Sequence, residues 1–359
     1  MPANHDVRRD ALRKVLVEKD LDAALITRLV NIRYLTGFTG SNGVLLLTHD
    51  DAVLATDGRY TTQAEAQAPD VERLITTAVM TDLVRRAAST GRVRTGFEAH
   101  DVTVEAHERL LEAVEGATLT ALGWEVEGLR AIKDDDEIEL LRRAFRAADE
   151  AFAELVATTL SGRTEKDIRT DLERRMLAHG ADAASFETIV ASGPNSAVPH
   201  HRPTERVVER GDFVKLDFGA LVEGYHSDMT RTVVVGPPAD WQREVHALVA
   251  AAQQASIDLF RPGATSADLD RAARDVIDNA GHGEHYTHSL GHGVGLEIHE
   301  APSLRKDGTD TLAEGMPVTV EPGVYLPGRG GVRIEDTLVV RADVPESLST
   351  STRDLLVVA

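Results

Sequence analysis

The 359-residue sequence contains no cysteine. This absence excludes disulfides and thiolate metal sites, so any bound metal has to use oxygen and nitrogen ligands. No apolar run approaches the ~18 residues that span a bilayer. The N-terminal stretch MPANHDVRRDALRKVL lacks the apolar core of a signal peptide. We therefore expect a cytoplasmic protein without a membrane partner.

Basic residues are also scarce relative to acidic ones. Lys and Arg number 39 against 59 Asp and Glu, which gives a formal net charge of −20. Such a surface repels phosphate backbones, so we expect no nucleic-acid partner. The apolar share of 42% and the charged share of 27% are those of an ordinary globular protein. The length suffices for two domains with separate cores.

The order of the predicted elements indicates two domains of mixed α/β (α+β) class. Residues 1–125 alternate helical and strand patterns and contain no obvious chemical cluster. Residues 126–359 begin with a helix that Asp134 can cap, and Thr164 opens another helix with a capping-box pattern. The predicted helices lie near 6–19, 104–114 and 135–160 and begin again near 164, 240 and 265; the predicted strands lie near 23–26, 44–47, 52–55, 213–219, 225–235, 317–326 and 332–340.

Two hairpin-like units in the second half each carry a pair of acids. If the first hairpin turns between Val222 and Glu223, Asp217 falls directly opposite Asp228. Opposed Cβ atoms on paired strands are roughly 4.5–5.5 Å apart. Two carboxylates at ~4 Å repel by about 4 kcal/mol at an effective dielectric of 20, unless a cation lies between them.

The second unit repeats this arrangement. Folding about Gly328 or Arg329 places Glu321 and Glu335 on one face, opposed or one diagonal step apart. Whichever of the two turn positions is correct, the offset between the two acids along the paired strands is an even number of residues. Both side chains therefore lie on the same face of the hairpin in either register.

Between the hairpins lies the densest histidine region, with His288 and His292 four residues apart. The glycines at 291, 293 and 295 argue against a helix and favour a strand or loop, in which backbone and metal can approach closely. Four carboxylates and one imidazole suit two divalent cations of the Mn²⁺ type better than a structural zinc. Either acid pair alone would be read as surface residues; together with His292 they predict a hydrolytic dinuclear site.

At these residues the chain resembles the aminopeptidase P and prolidase family, which shares the "pita-bread" fold with methionine aminopeptidase. The first domain also resembles the family's creatinase/prolidase-like N-terminal domain. The motifs that carry the resemblance are Asp-Phe-Gly at 217–219, Ser-Asp-Met-Thr-Arg-Thr at 227–232, Gly-His-Gly-Val-Gly at 291–295, His-Glu at 299–300, Glu-Pro-Gly at 321–323, Arg-Ile-Glu-Asp at 333–336, and in the first domain Tyr-Leu-Thr-Gly-Phe-Thr-Gly-Ser at 34–41 and Thr-Asp-Gly-Arg-Tyr at 56–60.

The resemblance implies a role for each matching position. His299 is expected to stabilise the tetrahedral intermediate, His200 to touch the substrate, and Glu321 to pass on the proton during hydrolysis of the bond before proline. The expected substrate-binding residues are His288, Arg333 and Tyr325. The expected metal ligands are Asp217, Asp228, His292, Glu321 and Glu335, with Asp228 and Glu335 bridging. His201 departs from the family pattern, since many relatives have glycine at this position. The substitution affects the expected shape of the loop that carries His200.

The resemblance leaves the substrate open between three peptidase activities. The overall appearance of the first domain favours aminopeptidase P, which releases the N-terminal residue from longer peptides whose second residue is proline. The alternative is prolidase, which splits Xaa-Pro dipeptides, and methionine aminopeptidase fits least. A different class, the metal-free relatives that became creatine amidinohydrolases or binding scaffolds, is disfavoured because all five ligands are present. We expect two divalent ions, Mn(II) or alternatively Co(II) or Zn(II), a proline-containing peptide substrate, and a homodimer or higher homo-oligomer.

Overall fold

The structure is a computed structural model that describes residues 4–114, 116 and 118–359. The chain divides into two compact units, Met1–Arg130 and Ala131–Ala359. The predicted domain boundary, between residues 125 and 126, stays a prediction. No helix among the described residues is long and apolar enough to cross a membrane.

The first unit is built around a six-stranded sheet. Its helices and strands are α1 (His5–Glu18), β1 (Ala23–Ile26), α2 (Leu29–Thr36), β2 (Val44–Thr48), β3 (Ala52–Thr56), α3 (Thr61–Gln67), β4 (Glu72–Ile75), α4 (Val79–Ser89), β5 (Arg94–Phe97), α5 (Val104–Ala113), β6 (Thr118–Ala121) and α6 (Glu125–Ala131). The strand order in the sheet is β4-β3-β2-β1-β5-β6. Strand β1 pairs antiparallel with β2 and parallel with β5, so the sheet is mixed.

The predicted elements of this unit are present, and seven others were missed. Strands β1 and β2 are buried along their whole length, which is why their apolar runs could be recognised. The missed elements are α2, α3, α4, α6, β4, β5 and β6. Strands β4 and β6 end the sheet on either side and are largely exposed, so they carry no buried-strand pattern.

The second unit consists of four helices and several small sheets. Two of the helices, Asp240–Ile257 and Ser266–Asn279, pack on a core shared with Val318, Val320 and Leu338. Its helices and strands are α7 (Asp135–Val156), α8 (Glu165–Ala178), β7 (Ala183–Ala184), β8 (Ile189–Ser192), β9 (Phe213–Phe218), β10 (Ala220–Val222), β11 (Tyr225–His226), β12 (Met229–Val235), α9 (Asp240–Ile257), α10 (Ser266–Asn279), β13 (Gly291–Gly293), β14 (Glu300–Leu304), β15 (Pro317–Val320), β16 (Gly323–Leu326), β17 (Gly330–Arg333), β18 (Asp336–Val339), β19 (Glu346–Ser347) and β20 (Val357–Val358).

Both predicted helix caps are present. Asp134 accepts from the backbone N–H of Glu137 at the start of α7, and the Glu137 carboxylate accepts from the N–H of Asp134. Thr164 and Asp167 form the same reciprocal pair at the start of α8. These caps satisfy backbone donors that have no partner inside the helix.

Three strands predicted as continuous are interrupted at acidic residues. The segment 225–235 breaks before Met229, 317–326 breaks after Val320, and 332–340 breaks before Asp336. The residues in these breaks include Asp228, Glu321 and Glu335. Leaving the regular ladder allows their side chains to turn toward a common point.

Candidate metal centre

The first hairpin has a register different from the predicted one. Asp217 on β9 pairs with Thr230 on β12, so Asp228 lies one diagonal step away rather than directly opposite. The turn is formed by Glu223 and Gly224, both with positive φ (45° and 76°). A two-residue turn of this kind suits glycine at its second position, which moves the turn one residue along. The predicted direct opposition is therefore wrong, although both acids remain on one face.

The second hairpin follows the register centred on Gly328, one of the two predicted. Val320 pairs with Asp336 and Gly323 with Arg333, which brings Glu321 and Glu335 opposite each other. The hairpins are joined because the N–H of Glu335 donates to the Thr230 carbonyl at 3.1 Å. The Thr230 hydroxyl also donates to Oε2 of Glu335 at 2.7 Å.

His292 occupies the middle of β13, a glycine-flanked strand as predicted. A Cβ on Gly291 would lie 2.0 Å from the Thr319 carbonyl oxygen, and one on Gly293 would lie 2.1 Å from that of Ala301. The glycines are therefore required by the close approach of neighbouring backbone. The N–H of His292 also donates to the Thr319 hydroxyl at 3.0 Å, which fixes the strand against β15.

The five predicted metal ligands line one cavity of about 320 Å³. Ligand atoms of Asp228, His292 and Glu335 all lie within 4.8 Å of one another. Nε2 of His292 is 3.5 Å from Oδ2 of Asp228 and 3.6 Å from Oε1 of Glu321. Arg333 links Asp217 to Glu321. Its guanidinium donates to Oδ2 of Asp217 and lies 3.9 Å from Oε2 of Glu321.

The electrostatics of this cluster favour a bound cation. Burial, followed by repulsion from neighbouring carboxylates, raises the pKa of Asp228 and of Glu335 well above the usual range. Burial raises the pKa of Glu321 to about 8 against the partial opposition of Arg333. Like-charged carboxylates collected out of water are stable only with protons or cations between them.

Several atoms have the right chemistry for coordination. Oδ1 of Asp217 and Oε1 of Glu335 are buried and find no hydrogen-bond donor among the described residues. Nδ1 of His292 lies 3.0 Å from the Gly293 carbonyl, which can only accept, so the proton is on Nδ1 and the Nε2 lone pair faces the carboxylates. Burial lowers the pKa of His292 to about 4, which keeps the ring neutral. Oxygen ligands and one neutral imidazole fit hard or intermediate divalent ions.

Arg333 is a buried cationic side chain that lines the cavity. Besides Asp217, it donates to the Tyr325 hydroxyl at 2.9 Å, to the Thr230 hydroxyl at 3.0 Å and to the Pro199 carbonyl at 3.3 Å. Its side chain is buried, so these contacts hold the guanidinium in one orientation.

The predicted substrate-binding and catalytic histidines surround the cluster. His299 packs edge-on against His292 with ring centroids 4.4 Å apart. A second cavity of about 340 Å³ is lined by His200, His288 and His299 together with Glu321 and Arg333. The ligand cluster is thus accessible from two adjoining cavities.

The Tyr325 side chain is buried and does not face an open cavity. It is 4% exposed, and Nε2 of His288 lies 2.8 Å from its hydroxyl. Nδ1 of His288 faces the Ser289 carbonyl, so Nε2 accepts the phenolic hydrogen while Arg333 donates to the phenolic oxygen. Tyr325 therefore aligns His288 and Arg333, and its predicted substrate contact stays a prediction.

Two supporting lysines were not predicted. The fully buried Lys215 donates to the Val198 carbonyl at 2.7 Å, beside His200. Lys133 forms a buried ion pair with Glu300 at 2.7 Å, next to His299. The sequence signal for both is weak, because their partners lie far along the chain.

Family models match most of the chain. Residues 139–342 match the model of Metallopeptidase family M24. Residues 8–132 match the model of the Creatinase/Prolidase N-terminal domain.

The chain is also similar to known proteins over nearly its whole length. It is 34% identical to an Xaa-Pro dipeptidase of Pyrococcus furiosus, covering 97% of this chain and 99% of the relative. A solved Xaa-Pro dipeptidase from Bacillus anthracis superposes with a TM-score of 0.95 at 39% identity, covering 99% and 100% of the two chains. An X-Pro aminopeptidase from Thermotoga maritima superposes with a TM-score of 0.90 at 36% identity, covering 98% and 99%.

Proposed function

This chain belongs to metallopeptidase family M24, and we propose that within the family it is an Xaa-Pro dipeptidase. The observation that carries the proposal is the cluster of four carboxylates and one neutral imidazole, in a chain similar end to end to proteins named Xaa-Pro dipeptidase. The predicted family and the predicted two-part α/β fold class are confirmed. The comparisons support prolidase, given above as the alternative, better than aminopeptidase P.

The M24 family implies divalent metal ions, and we propose that Asp217, Asp228, His292, Glu321 and Glu335 hold two of them. Mn(II) is our first choice, with Co(II) or Zn(II) as alternatives, since the donors are oxygen and nitrogen. Bound divalent cations would supply Lewis-acid polarisation of the scissile carbonyl and a water of lowered pKa.

The chain's own residues supply the remaining chemistry. Glu321 accepts a proton from the attacking water and transfers it to the leaving proline nitrogen. His299 and His200, both exposed to the cavities, donate hydrogen bonds to the developing oxyanion and to the substrate backbone. Arg333 and His288, aligned by Tyr325, bind the proline side of the substrate. A homo-oligomer and a cytoplasmic location remain predictions.

The proposal is tested by comparing substrates that differ only beyond proline. Metal-depleted protein would be given Mn²⁺, Co²⁺ or Zn²⁺ and assayed on Ala-Pro, Ala-Pro-amide and Ala-Pro-Ala, with Ala-Ala as the proline-free control. Asp228→Asn, purified in parallel, should be inactive and so excludes contaminating peptidases. We expect metal-restored cleavage of Ala-Pro with little on the other three.

The second candidate function is X-Pro aminopeptidase, favoured by the similarity to the Thermotoga maritima structure. Preferential cleavage of Ala-Pro-Ala would establish it in place of the dipeptidase. No cleavage of any substrate with any metal would contradict both.

A further inference from the structure

His200 lies in the long connection from β8 to β9 and is exposed to both cavities of the metal centre. The backbone immediately before it is fixed from one side. Nζ of Lys215 donates to the carbonyls of Val198 and Pro199 at 2.7 and 3.1 Å. Arg333 donates to the same Pro199 carbonyl at 3.3 Å.

The chain immediately after His200 is fixed from the other side by Glu165, the first residue of α8. Glu165 is fully buried, and its Oε2 accepts from Nε2 of His201 at 2.8 Å. The same oxygen accepts from the N–H and the hydroxyl of Thr204 at 2.9 and 2.7 Å. The His201 side chain is therefore a hydrogen-bonded part of the loop.

The other oxygen of Glu165 holds the start of the same connection. Oε1 accepts from the N–H and the hydroxyl of Ser192, both at 2.8 Å, and from Nδ2 of Asn195 at 3.0 Å. Burial disfavours the charged form, but hydrogen bonds from Asn195, His201 and the backbone outweigh it and lower the pKa of Glu165 to about 2. The carboxylate is therefore ionised at neutral pH and accepts six hydrogen bonds from one loop.

We propose that Glu165 is a positioning residue, which acts through His201 and Thr204 to hold His200 at the substrate. The proposal rests on the proposed function, in which His200 touches the peptide. Because Pro199 is held by Lys215 and His201 by Glu165, the backbone of His200 is bracketed within one residue on each side. Groups that contact a substrate are effective only when the supporting residues fix their geometry.

Glu165→Gln is the informative change because it keeps the side-chain size. Each carboxylate oxygen of Glu165 accepts three hydrogen bonds. The side-chain nitrogen of the introduced glutamine can only donate, so it would replace an acceptor where three donors converge. The chain offers a matched control in Glu98→Gln. Glu98 is also fully buried and accepts from the N–H groups of Thr27 and Arg28 at 2.7 and 2.8 Å, but it belongs to the first unit.

The first readout does not depend on activity. Amide hydrogen exchange of the metal-loaded, full-length protein is compared between wild type, Glu165→Gln and Glu98→Gln. We expect exchange in residues 193–204 to accelerate about tenfold in Glu165→Gln and to be unchanged in Glu98→Gln. Unchanged exchange of this loop in Glu165→Gln would overturn the proposal.

The second readout is a double-mutant cycle with His200→Ala on Ala-Pro. We expect Glu165→Gln to lower kcat/KM about 10- to 100-fold in the wild-type background and less than about threefold in the His200→Ala background. Fully additive losses would overturn the proposal, because a merely structural defect adds to the loss of His200.

A milder variant covers the case in which Glu165→Gln does not fold. His201→Ala removes one of the six donors, and we expect the same non-additivity with His200→Ala at a loss of about three- to tenfold. Additive losses in this cycle would equally overturn the proposal. A wild type that cleaves no peptide would contradict the proposed function instead, and the hydrogen-exchange comparison would still decide whether Glu165 holds the loop.

Discussion

Glu321 lies between the imidazole of His292 and the guanidinium of Arg333, at 3.6 and 3.9 Å from the two groups. We expect Glu321→Gln to lower kcat about 10²- to 10⁴-fold, since the amide cannot accept the proton from water. The measurement is kcat at saturating Mn²⁺, with metal content determined on the same sample. Retained activity would remove Glu321 from the role of proton acceptor.

His299 differs from Glu321 because it is not a proposed metal ligand. Its ring packs against His292, which is one. We expect His299→Ala to lower kcat about 10²- to 10³-fold, as the loss of an oxyanion donor does, and to leave metal content nearly unchanged. Elemental analysis alongside the kinetics checks this. Loss of the metals in this variant would mean that His299 belongs to the ligand set.

Single residues were easiest to predict where the same residue types recur in a similar local arrangement. Two acid pairs and a glycine-flanked histidine identified the cluster without structural information. Glu165 could not be identified in this way, since its partners His201 and Thr204 are 36 and 39 residues away and its local pattern is that of a helix start.

At the scale of elements, the position of His292 depends on how closely β13 approaches its neighbours. A Cβ on Gly291 would lie 2.0 Å from the Thr319 carbonyl oxygen, which is backbone and cannot swing away. We expect Gly291→Ala to separate β13 from β15, to weaken metal binding at least tenfold and to lower the melting temperature by several degrees. Gly58→Ala is the control, since nothing lies within 4 Å of its added Cβ.

Metal affinity is measured by competition with a chelator, and stability by calorimetry of both glycine variants. Equal behaviour of the two variants would show that the spacing of β13 does not control the site.

Register was the weakest sequence inference at this scale. The parity of the strands placed each acid pair on one face, but the turn was placed one residue early because the positive φ of Glu223 was not anticipated. Interruptions at Asp228, Glu321 and Glu335 were also not predicted, since apolar residues stand on both sides of each acid.

For the whole molecule, the carboxylate cluster should couple stability to pH. In the metal-free chain the pKa of Glu321 is raised from 4.5 to about 8, and the pKa values of Asp228 and Glu335 are also raised well above their usual range. The folded state then binds more protons than the unfolded state between pH 4.5 and 8. This contribution to stability is present below pH 4.5 and is lost as the pH rises through 8.

We therefore expect the stabilisation by added Mn²⁺ to grow from pH 5 to pH 8, because metal replaces the protons. At pH 6.5, calorimetric titrations in buffers of different ionisation enthalpy should show at least one proton released per chain. Glu321→Gln should reduce this release. Metal binding with no proton release at pH 6.5 would contradict the electrostatic description of the cluster.

The proposed metal centre is tested most directly by the number of metal ions that the chain holds. Metal-depleted protein equilibrated with Mn²⁺ and freed of excess ion would be analysed for metal per chain, with Asp228→Asn in parallel. We expect two ions per wild-type chain and a clear loss of metal in Asp228→Asn, because Asp228 lies among the other ligands. A wild-type chain that retains no divalent ion, or an Asp228→Asn chain with full occupancy, would contradict a dinuclear metal centre at these residues.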